Sequence, residues 1–285
     1  MSPDSLSIFT HVRWWLSAGL FAALTALMNA GPASSTERNF VIADLQLDLI
    51  WVKPGTFSMG SQQDEASDKA ETPLTRVTFT HGFWFGRTEV TQAQYQAVTG
   101  TNPSHFTVAG SNAPVERVSW IEAMAYCDKL TKREQAAGRL PANYVYTLPT
   151  EAQWEYACRA GTTGQYAGDP EKMSWYDSNS GETTHPVAQR QPNNWGFYDM
   201  AGNVLEWCAD WYGNYPGGAV TDPTGPDEGF FRMARGGSWR SKMETGRSAA
   251  RSGASPARQD YTLGFRLAVC FENTPSHREF SLNSH

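Results

Sequence analysis

The second half of the chain constrains the fold most, because it contains few segments of regular periodicity. Beyond Gly161 the sequence is rich in glycine, proline, asparagine and tryptophan, and few apolar repeats run for any length. Backbone ladders alone cannot hold such a chain, so aromatic side chains must supply much of the packing, each burying about 150–250 Å². The sequence therefore predicts a loop-rich domain packed around tryptophan and tyrosine.

The first half carries the patterns of regular structure. VKPGTFSMGS, residues 52–61, is typical of a strand, a tight turn and a second strand. Residues 62–71 are polar and acidic, which predicts a surface loop. Residues 74–91 alternate apolar and polar side chains over much of their length, which favours a half-buried strand.

Three helices are expected in this half. A short helix should cover residues 92–98 and stop at Gly100. Ser119 with Glu122, and Thr150 with a glutamine three residues later, form capping boxes, because each hydroxyl can bond the third helical amide while the longer side chain returns to the cap. The two helices that they open should run to about residues 137 and 160, where glycine follows.

The size and charge of the chain limit its organisation and its partners. With 285 residues, 40% of them hydrophobic, the chain is long enough for one sizeable core, so we expect one domain. The net charge of −6 repels a polyanion, which makes nucleic acid an unsuitable partner.

The N-terminal residues have the pattern of a secretory signal. WWLSAGLFAALTALM, residues 14–28, is uncharged, follows Arg13 and precedes a run of small residues. A membrane-spanning helix needs about 20 apolar residues, and Asn29 and Pro32 shorten this run. We therefore predict a signal peptide over residues 1–33, export by the general secretory route to a periplasm, and no stable membrane insertion; an uncleaved anchor is the alternative.

Four cysteines follow the predicted signal: Cys127, Cys158, Cys208 and Cys270. An even number in an exported chain permits two disulfides, and the sequence leaves all three pairings open. None of the cysteines forms a CxxC pair or neighbours a histidine at ligand spacing. Structural bridges or buried thiols are therefore favoured over redox or zinc chemistry.

Several motifs in a fixed order identify a family. PGTFSMGS, TEVTQAQYQ and PVERVSWIEAMAYC are followed by LPTEAQWEYACRAGT, GFYDMAGNVLEWCADWY, RGGSW and LGFRLA. Together they resemble the formylglycine-generating enzyme, or sulfatase-modifying factor, family. The resemblance implies a single α+β domain with little regular secondary structure, related to C-type lectins. It divides the chain into the signal peptide, a lead-in at 34–48, the family domain at 49–272 and a tail at 273–285.

The loop that follows RGGSW lacks the chemistry of that family. The resemblance implies two cysteines there that bind copper and oxidise a substrate cysteine, but residues 240–247 read RSKMETGR. Counting forward from RGGSW places Ser241 at the first thiol position, and counting back from RSAARS places Met243 at the second. A hydroxyl and a thioether cannot replace two thiolates at copper(I), so we expect no copper and no formylglycine-generating activity.

The same loop offers different groups for catalysis and binding. Glu244 is its single carboxylate, and Arg240, Arg247 and Arg251 carry forked donors for an anionic or phenolic oxygen. We predict Glu244 as a catalytic base, with these arginines, Ser241 and Trp239 binding the substrate; the tryptophan would stack on an aromatic ligand. In the alternative interpretation Glu244 only neutralises arginines on a surface loop.

DMAGNVLE, residues 199–206, is a candidate metal site. The carboxylates of Asp199 and Glu206, with backbone carbonyls at Gly202 and Val204, suit calcium, and the resemblance implies a structural calcium at this motif. The alternative is a capped helix start without a metal.

The resemblance also indicates a function. An exported member of this size without the two thiols is similar to the members that mature the siderophore pyoverdine by oxidising dihydropyoverdine to the conjugated chromophore. The electron acceptor stays open, with molecular oxygen as one candidate. Expected partners are the peptide siderophore precursor and other periplasmic maturation enzymes. Two alternatives are a noncatalytic module that binds or scaffolds the precursor and a factor that modifies a protein side chain.

Overall fold

A computed structural model describes residues 39–62 and 68–271. The predicted signal peptide at 1–33 and the predicted tail at 273–285 lie outside the described residues. The domain is α+β, with about 21% helix and 25% strand, which confirms the predicted fold class and its low content of regular structure. No helix in the described ranges is long and apolar enough to cross a bilayer.

The described residues form twelve strands in three sheets and four α-helices. The strands are β1 Phe40–Ile42, β2 Leu47–Val52, β3 Gly55–Met59, β4 Thr75–Phe79, β5 Phe83–Gly86, β6 Tyr144–Thr147, β7 Leu205–Trp211, β8 Gly218–Thr221, β9 Arg232–Arg235, β10 Arg251–Ala254, β11 Leu263–Phe265 and β12 Ala268–Phe271. The helices are α1 Gln92–Thr99, α2 Trp120–Ala136, α3 Glu151–Arg159 and α4 Pro170–Met173.

The largest sheet joins both ends of the described chain. Its strand order is β1-β2-β5-β12-β6, and every neighbouring pair is antiparallel. The C-terminal strand β12 therefore lies between two strands from earlier in the sequence. Residues 40–42 and 47–48 belong to the predicted lead-in, but they pair within this sheet, and Ile42 is buried.

The predicted strand over residues 74–91 is divided between two sheets. Its first part is β4, in the three-stranded sheet β3-β4-β8, and its second part is β5, in the large sheet. Gly82 lies at the corner between them, where an added Cβ would lie 2.3 Å from the Trp51 ring. The prediction was wrong because a period-two pattern does not reveal a corner at which glycine lets the chain change sheets.

The helix signals agree closely with the structure. Both predicted capping boxes are present, at Ser119 and at Thr150, and a third, between Thr91 and Gln94, begins α1. Helix α1 ends at Gly100, whose φ of 87° is left-handed. The helices end within about one residue of the predicted positions.

Aromatic side chains fill the core, as the sequence predicts. Trp154 and Trp207 are fully buried, and the Tyr95 and Tyr126 rings stack with centroids 5.4 Å apart. One cluster of buried apolar side chains packs around α2 and the other around α3. Helix α3 contacts β3 of the three-stranded sheet and also β7 and β9 of the four-stranded sheet, whose strand order is β10-β9-β7-β11.

The cysteines act as core residues in this structure. All four are buried, and no disulfide is formed within the described residues. Of the two structural roles predicted for them, buried thiols are therefore the one that the structure contains. Burial raises the pKa of the Cys158 thiol to about 11, which makes the reactive thiolate scarce near neutral pH.

Candidate functional site

The loop after RGGSW lies in the hairpin formed by β9 and β10. Arg235 ends β9 and pairs with Arg251, which begins β10. Gly236 and Gly237 turn the chain between them with positive φ values of 97° and 70°. A Cβ at Gly236 would lie 3.1 Å from the Trp154 ring, closer than an ordinary contact, and the positive φ itself favours glycine at this turn.

Four of the predicted site residues line one cavity of about 360 Å³, called the loop cavity below. They are Ser241, Glu244, Arg247 and Arg251. Arg235 and Glu71 also line it, together with Asp68, Leu205, Ala234, Gly236, Gly237, Thr245, Ala250 and Ser252. The structure thus brings most of the predicted catalytic and binding residues together.

Two predicted binding arginines are already bound to carboxylates. Arg247 donates to both oxygens of Glu71, at 2.8 and 2.6 Å. Arg251 donates to both oxygens of Glu151, at 2.6 and 2.8 Å. The donor forks expected to hold a ligand oxygen are therefore used inside the protein, and this corrects their predicted role. Both arginines still border the loop cavity.

Glu244 lies on the exposed side of the loop cavity. It belongs to a single 3₁₀ turn, Met243–Gly246, and its backbone carbonyl accepts a bond of 3.0 Å from Arg247 Nε. Glu244 is exposed at the cavity, and within the described residues its carboxylate forms no ion pair with an arginine. The interpretation of Glu244 as their neutralising partner is therefore not what the structure shows.

Ser241 and Met243, at the positions of the family's thiols, shape the loop. Ser241 Oγ accepts the Ser238 amide at 2.9 Å and lies 3.1 Å from the Ser238 hydroxyl. The Met243 carbonyl accepts a bond of 3.0 Å from the Tyr166 hydroxyl. The loop therefore keeps a defined conformation without sulfur ligands.

Trp239 and Arg240 do not line the loop cavity. Trp239 is buried, its indole nitrogen donates to the Tyr261 carbonyl at 3.1 Å, and its ring packs edge-on to Phe106. Arg240 is exposed and donates to the Tyr261 hydroxyl at 2.7 Å. The structure therefore does not bring these two predicted binding residues to the loop cavity, because both contact Tyr261 on another side of the loop.

Sequence reasoning missed the acidic partners beneath the loop cavity. Glu155 binds Arg159 at 2.8 Å and pairs with the fully buried Arg235. Glu71, assigned from sequence to a polar surface loop, is 1% exposed. A signal was present: residues 235–258 carry a large excess of cations over Glu244, and buried cations require carboxylates from elsewhere.

The Arg251–Glu151 ion pair has a third neighbour, the carboxyl group of Asp210, whose pKa is raised. Asp210 is buried, and its Oδ2 accepts the Glu151 amide at 2.8 Å. Burial, together with the neighbouring Glu151 carboxylate, raises the pKa of Asp210 to about 7. Asp210 therefore gains or loses its proton in the neutral range, next to the carboxylate that binds Arg251.

The predicted calcium motif is occupied by a different interaction. Glu206 accepts bonds from Arg266 at 2.6 and 2.7 Å and from the Trp154 indole at 2.7 Å. Gly202 has no room for a side chain, since a Cβ would lie 2.0 Å from the Trp175 carbonyl, and Val204 is fully buried. In this arrangement Glu206 does not fit a calcium shell, because a cation would have to displace the buried Arg266.

Two other carboxyl groups, those of Asp199 and Glu89, lie near the Glu206–Arg266 ion pair. Asp199 is buried, accepts the Ala188 amide at 2.7 Å through Oδ2, and burial raises its pKa to about 6. Neither oxygen of Glu89 has a hydrogen-bond partner among the described residues, and burial followed by repulsion from Asp199 raises its pKa well above the usual range. No group of three or more His, Cys, Asp and Glu side chains in residues 39–62 and 68–271 is arranged to hold a metal.

Comparisons with known proteins give one family. The family model for the sulfatase-modifying factor enzyme 1-like domain matches residues 43–270. The chain is 32% identical over 281 residues to the chaperone protein LppX of Paenibacillus barcinonensis. The aligned region covers 82% of this chain and 91% of that protein.

Two solved structures have the same fold. Treponema denticola variable protein 1 is 30% identical, with a TM-score of 0.73 over 82% of this chain and 99% of that chain. PvdO from Pseudomonas aeruginosa is 25% identical, with a TM-score of 0.69 over 83% of this chain and 99% of that chain.

Proposed function

The chain belongs to the sulfatase-modifying factor enzyme 1-like family, and from this premise we propose that it matures a pyoverdine-type siderophore precursor in the periplasm. The family includes oxidative enzymes. The observation that carries the proposal is the loop cavity, where an exposed carboxylate and a hydroxyl lie at the family's reactive loop and the thiol positions hold Ser241 and Met243.

The resemblance of the sequence to pyoverdine-maturing members and the similarity of the fold to PvdO support this substrate. The N-terminal signal pattern supports the compartment. The chromophore of a peptide siderophore precursor is small enough to enter the loop cavity, whose volume is about 360 Å³. Other periplasmic maturation enzymes are the expected partners.

In the proposed reaction the chain moves a proton and oxygen takes the electrons. Glu244 removes a ring proton from the dihydropyoverdine chromophore, and the remaining electron pair becomes an enolate or phenolate. Ser241, whose Oγ accepts the Ser238 amide, offers its hydroxyl hydrogen to the oxygen on which this charge develops. Molecular oxygen then accepts two electrons and two protons and leaves as hydrogen peroxide, while the substrate loses two hydrogens.

No step requires copper. Formylglycine-type side-chain modification would need sulfur ligands that Ser241 and Met243 do not supply. Arg247 and Arg251 do not hold the substrate through their forks in this proposal, since Glu71 and Glu151 bind them. Their role is to fix the walls of the loop cavity.

The test is incubation of purified protein with dihydropyoverdine, with and without oxygen, followed by visible absorbance and peroxide formation. Glu244→Gln should slow the reaction about 100-fold, the lower end of what a general base contributes. Glu228→Gln changes an exposed glutamate outside the loop cavity and should leave the rate unchanged. Equal rates for Glu244→Gln and the unmodified protein would remove the proposed base.

A noncatalytic role is the second candidate, and the similarity to a chaperone protein over 91% of its length favours it. The pairing of Arg247 and Arg251 with carboxylates is also compatible with a preformed binding surface. In that case the protein would bind the precursor, as calorimetry would show, while the chromophore would form at the same rate with and without the protein.

A further inference from the structure

A second, larger opening lies outside the loop cavity. This open cleft of about 640 Å³, called the edge cleft below, runs along β3 and is closed on the other side by the loop at 161–165 and by Trp195. Ala249 lines the edge cleft and Ala250 lines the loop cavity, so the two openings lie on opposite sides of one backbone segment. The proposed reaction uses no residue of the edge cleft.

One wall of the edge cleft is the outer edge of a sheet. Strand β3 is the end strand in the order β3-β4-β8, and no strand of the described chain pairs with its outer side. The amide of Asp222 donates to the Thr78 carbonyl, so Thr78 directs its backbone groups towards β8. Its partner Thr56 therefore forms a non-hydrogen-bonded pair with it.

The free backbone groups follow from this register. Inward bonding to β4 alternates along β3, so Phe57 bonds inward while Thr56 and Ser58 direct their N–H and C=O groups outwards. The Thr56 and Thr78 hydroxyls lie 3.0 Å apart, as expected for the closer, non-hydrogen-bonded pair. Two residues at strand spacing thus present donors and acceptors to the edge cleft.

Aromatic rings line one face of the same strand. Phe57 contacts Tyr156 at 5.1 Å between centroids, and Tyr156 contacts Trp195 edge-on at 4.9 Å. Gly55 leaves the space that the Tyr156 ring occupies, because a Cβ there would lie 2.2 Å from the Tyr156 hydroxyl. The face offers contact to an apolar or aromatic side chain.

The other face of β3 is polar and positively charged. Ser58 pairs with Arg76 across β3 and β4, and both are exposed. Arg159 also lines the edge cleft, but it is bound to Glu155. Among the described residues that line this cleft none is acidic. Charge complementarity therefore favours an acidic side chain on this face, within reach of Arg76 across Ser58.

We propose that the edge cleft binds an extended peptide segment of another molecule, which adds to β3 as an outer strand. Its backbone pairs with Thr56 and Ser58, apolar side chains contact Phe57, Tyr156 and Trp195, and alternate acidic side chains lie on the same face as Arg76, across the small Ser58 side chain. A carbohydrate would use the rings and the hydroxyls, but it would leave the outward backbone groups at strand spacing unused. The edge geometry therefore favours a peptide.

The test uses the full-length protein and the probe acetyl-Val-Glu-Phe-Glu-Val-amide. In ¹⁵N-labelled protein the amide signals of Thr56 and Ser58 should shift on titration more than the inward amide of Phe57. Calorimetry should give binding about tenfold weaker for the probe in which both glutamates are replaced by lysine, since those would lie on the same face as Arg76.

Backbone pairing is tested separately with two N-methylated probes. One carries methyl groups on the amides of the glutamates and the other on the amides of the central phenylalanine and the last valine. A strand added to one edge uses only one of these sets, so one probe should lose about tenfold or more in affinity and the other should bind like the parent. Equal binding of both would overturn the proposal.

A protein variant gives an independent test. Ser58→Pro removes an outward amide, which an edge strand tolerates, and should weaken binding about tenfold, whereas Ser58→Ala should not. Binding of chitohexaose with shifts at Trp195, without any binding of the peptide probe, would also overturn the proposal. None of these measurements involves dihydropyoverdine, so the failure of either proposal leaves the other unaffected.

Discussion

The ion pairs at the loop cavity and the Glu206–Arg266 pair use the same ionic chemistry in different surroundings. At the loop cavity the side chains of Arg247 and Arg251 are only 5% and 2% exposed, yet they border an open space. Arg266 and Glu206 are 0% and 1% exposed and are enclosed by the core. An ion pair at a cavity wall leaves room for a ligand, whereas an enclosed pair occupies the space that a metal would need. The difference separates a candidate binding site from a structural core.

The largest expected effect comes from breaking the enclosed pair. Glu206→Gln removes the charge that balances Arg266, and the loss of one partner of a buried pair costs about 3–5 kcal/mol. The free energy of unfolding, measured with urea, should fall by that amount. Asp48→Asn, at the half-exposed pair with Arg87, is the control and should cost about 1 kcal/mol or less. A similar small loss for both variants would contradict the contrast in access.

The same site gives a test of calcium. If Glu206 is held by Arg266 as described, the unmodified protein should melt at the same temperature in calcium and in chelator. A higher melting temperature in calcium would show that the ion replaces Arg266 as the partner of Glu206 and would restore the calcium site predicted from the sequence.

A smaller effect is expected at the loop cavity. Glu71→Gln removes the carboxylate that binds Arg247, but water in the cavity can solvate the guanidinium, so the cost should be about 1–3 kcal/mol. Urea unfolding measures this loss beside Glu206→Gln in the same buffer. If the Glu71 variant lost as much as the Glu206 variant, the loop cavity would be as closed to solvent as the core.

A further effect is a pH dependence of stability beneath the loop cavity. The pKa of Asp210 is about 7 in the folded protein, above its unfolded value, so the folded state binds the extra proton. Its contribution is fully present below the unfolded pKa of about 4 and is lost as the pH rises from there through about 7. Asp210→Asn should flatten this part of the profile, between about pH 4 and pH 7. An unchanged slope would assign the dependence to other carboxyl groups.

Local signals in the sequence predicted local structure well. The capping boxes at Ser119 and Thr150 were confirmed because they depend on side chains three residues apart. The loop cavity was partly predicted, since the family motif located Ser241 and Glu244. Glu71 could not be assigned to Arg247, because 176 residues separate the two. The same limit applies to Arg266, whose partner Glu206 lies 60 residues earlier.

The central position of β12 also affects the order in which the chain can be completed. The strand pairs with β5 and β6 on either side, yet it is the last strand in the described sequence. During synthesis β5 and β6 emerge from the ribosome before the strand that lies between them in the sheet. The large sheet therefore cannot close until residue 271 is available. Completion of the large sheet therefore requires β12, and a chain shortened before this strand would lack the strand that joins the two halves of the sheet.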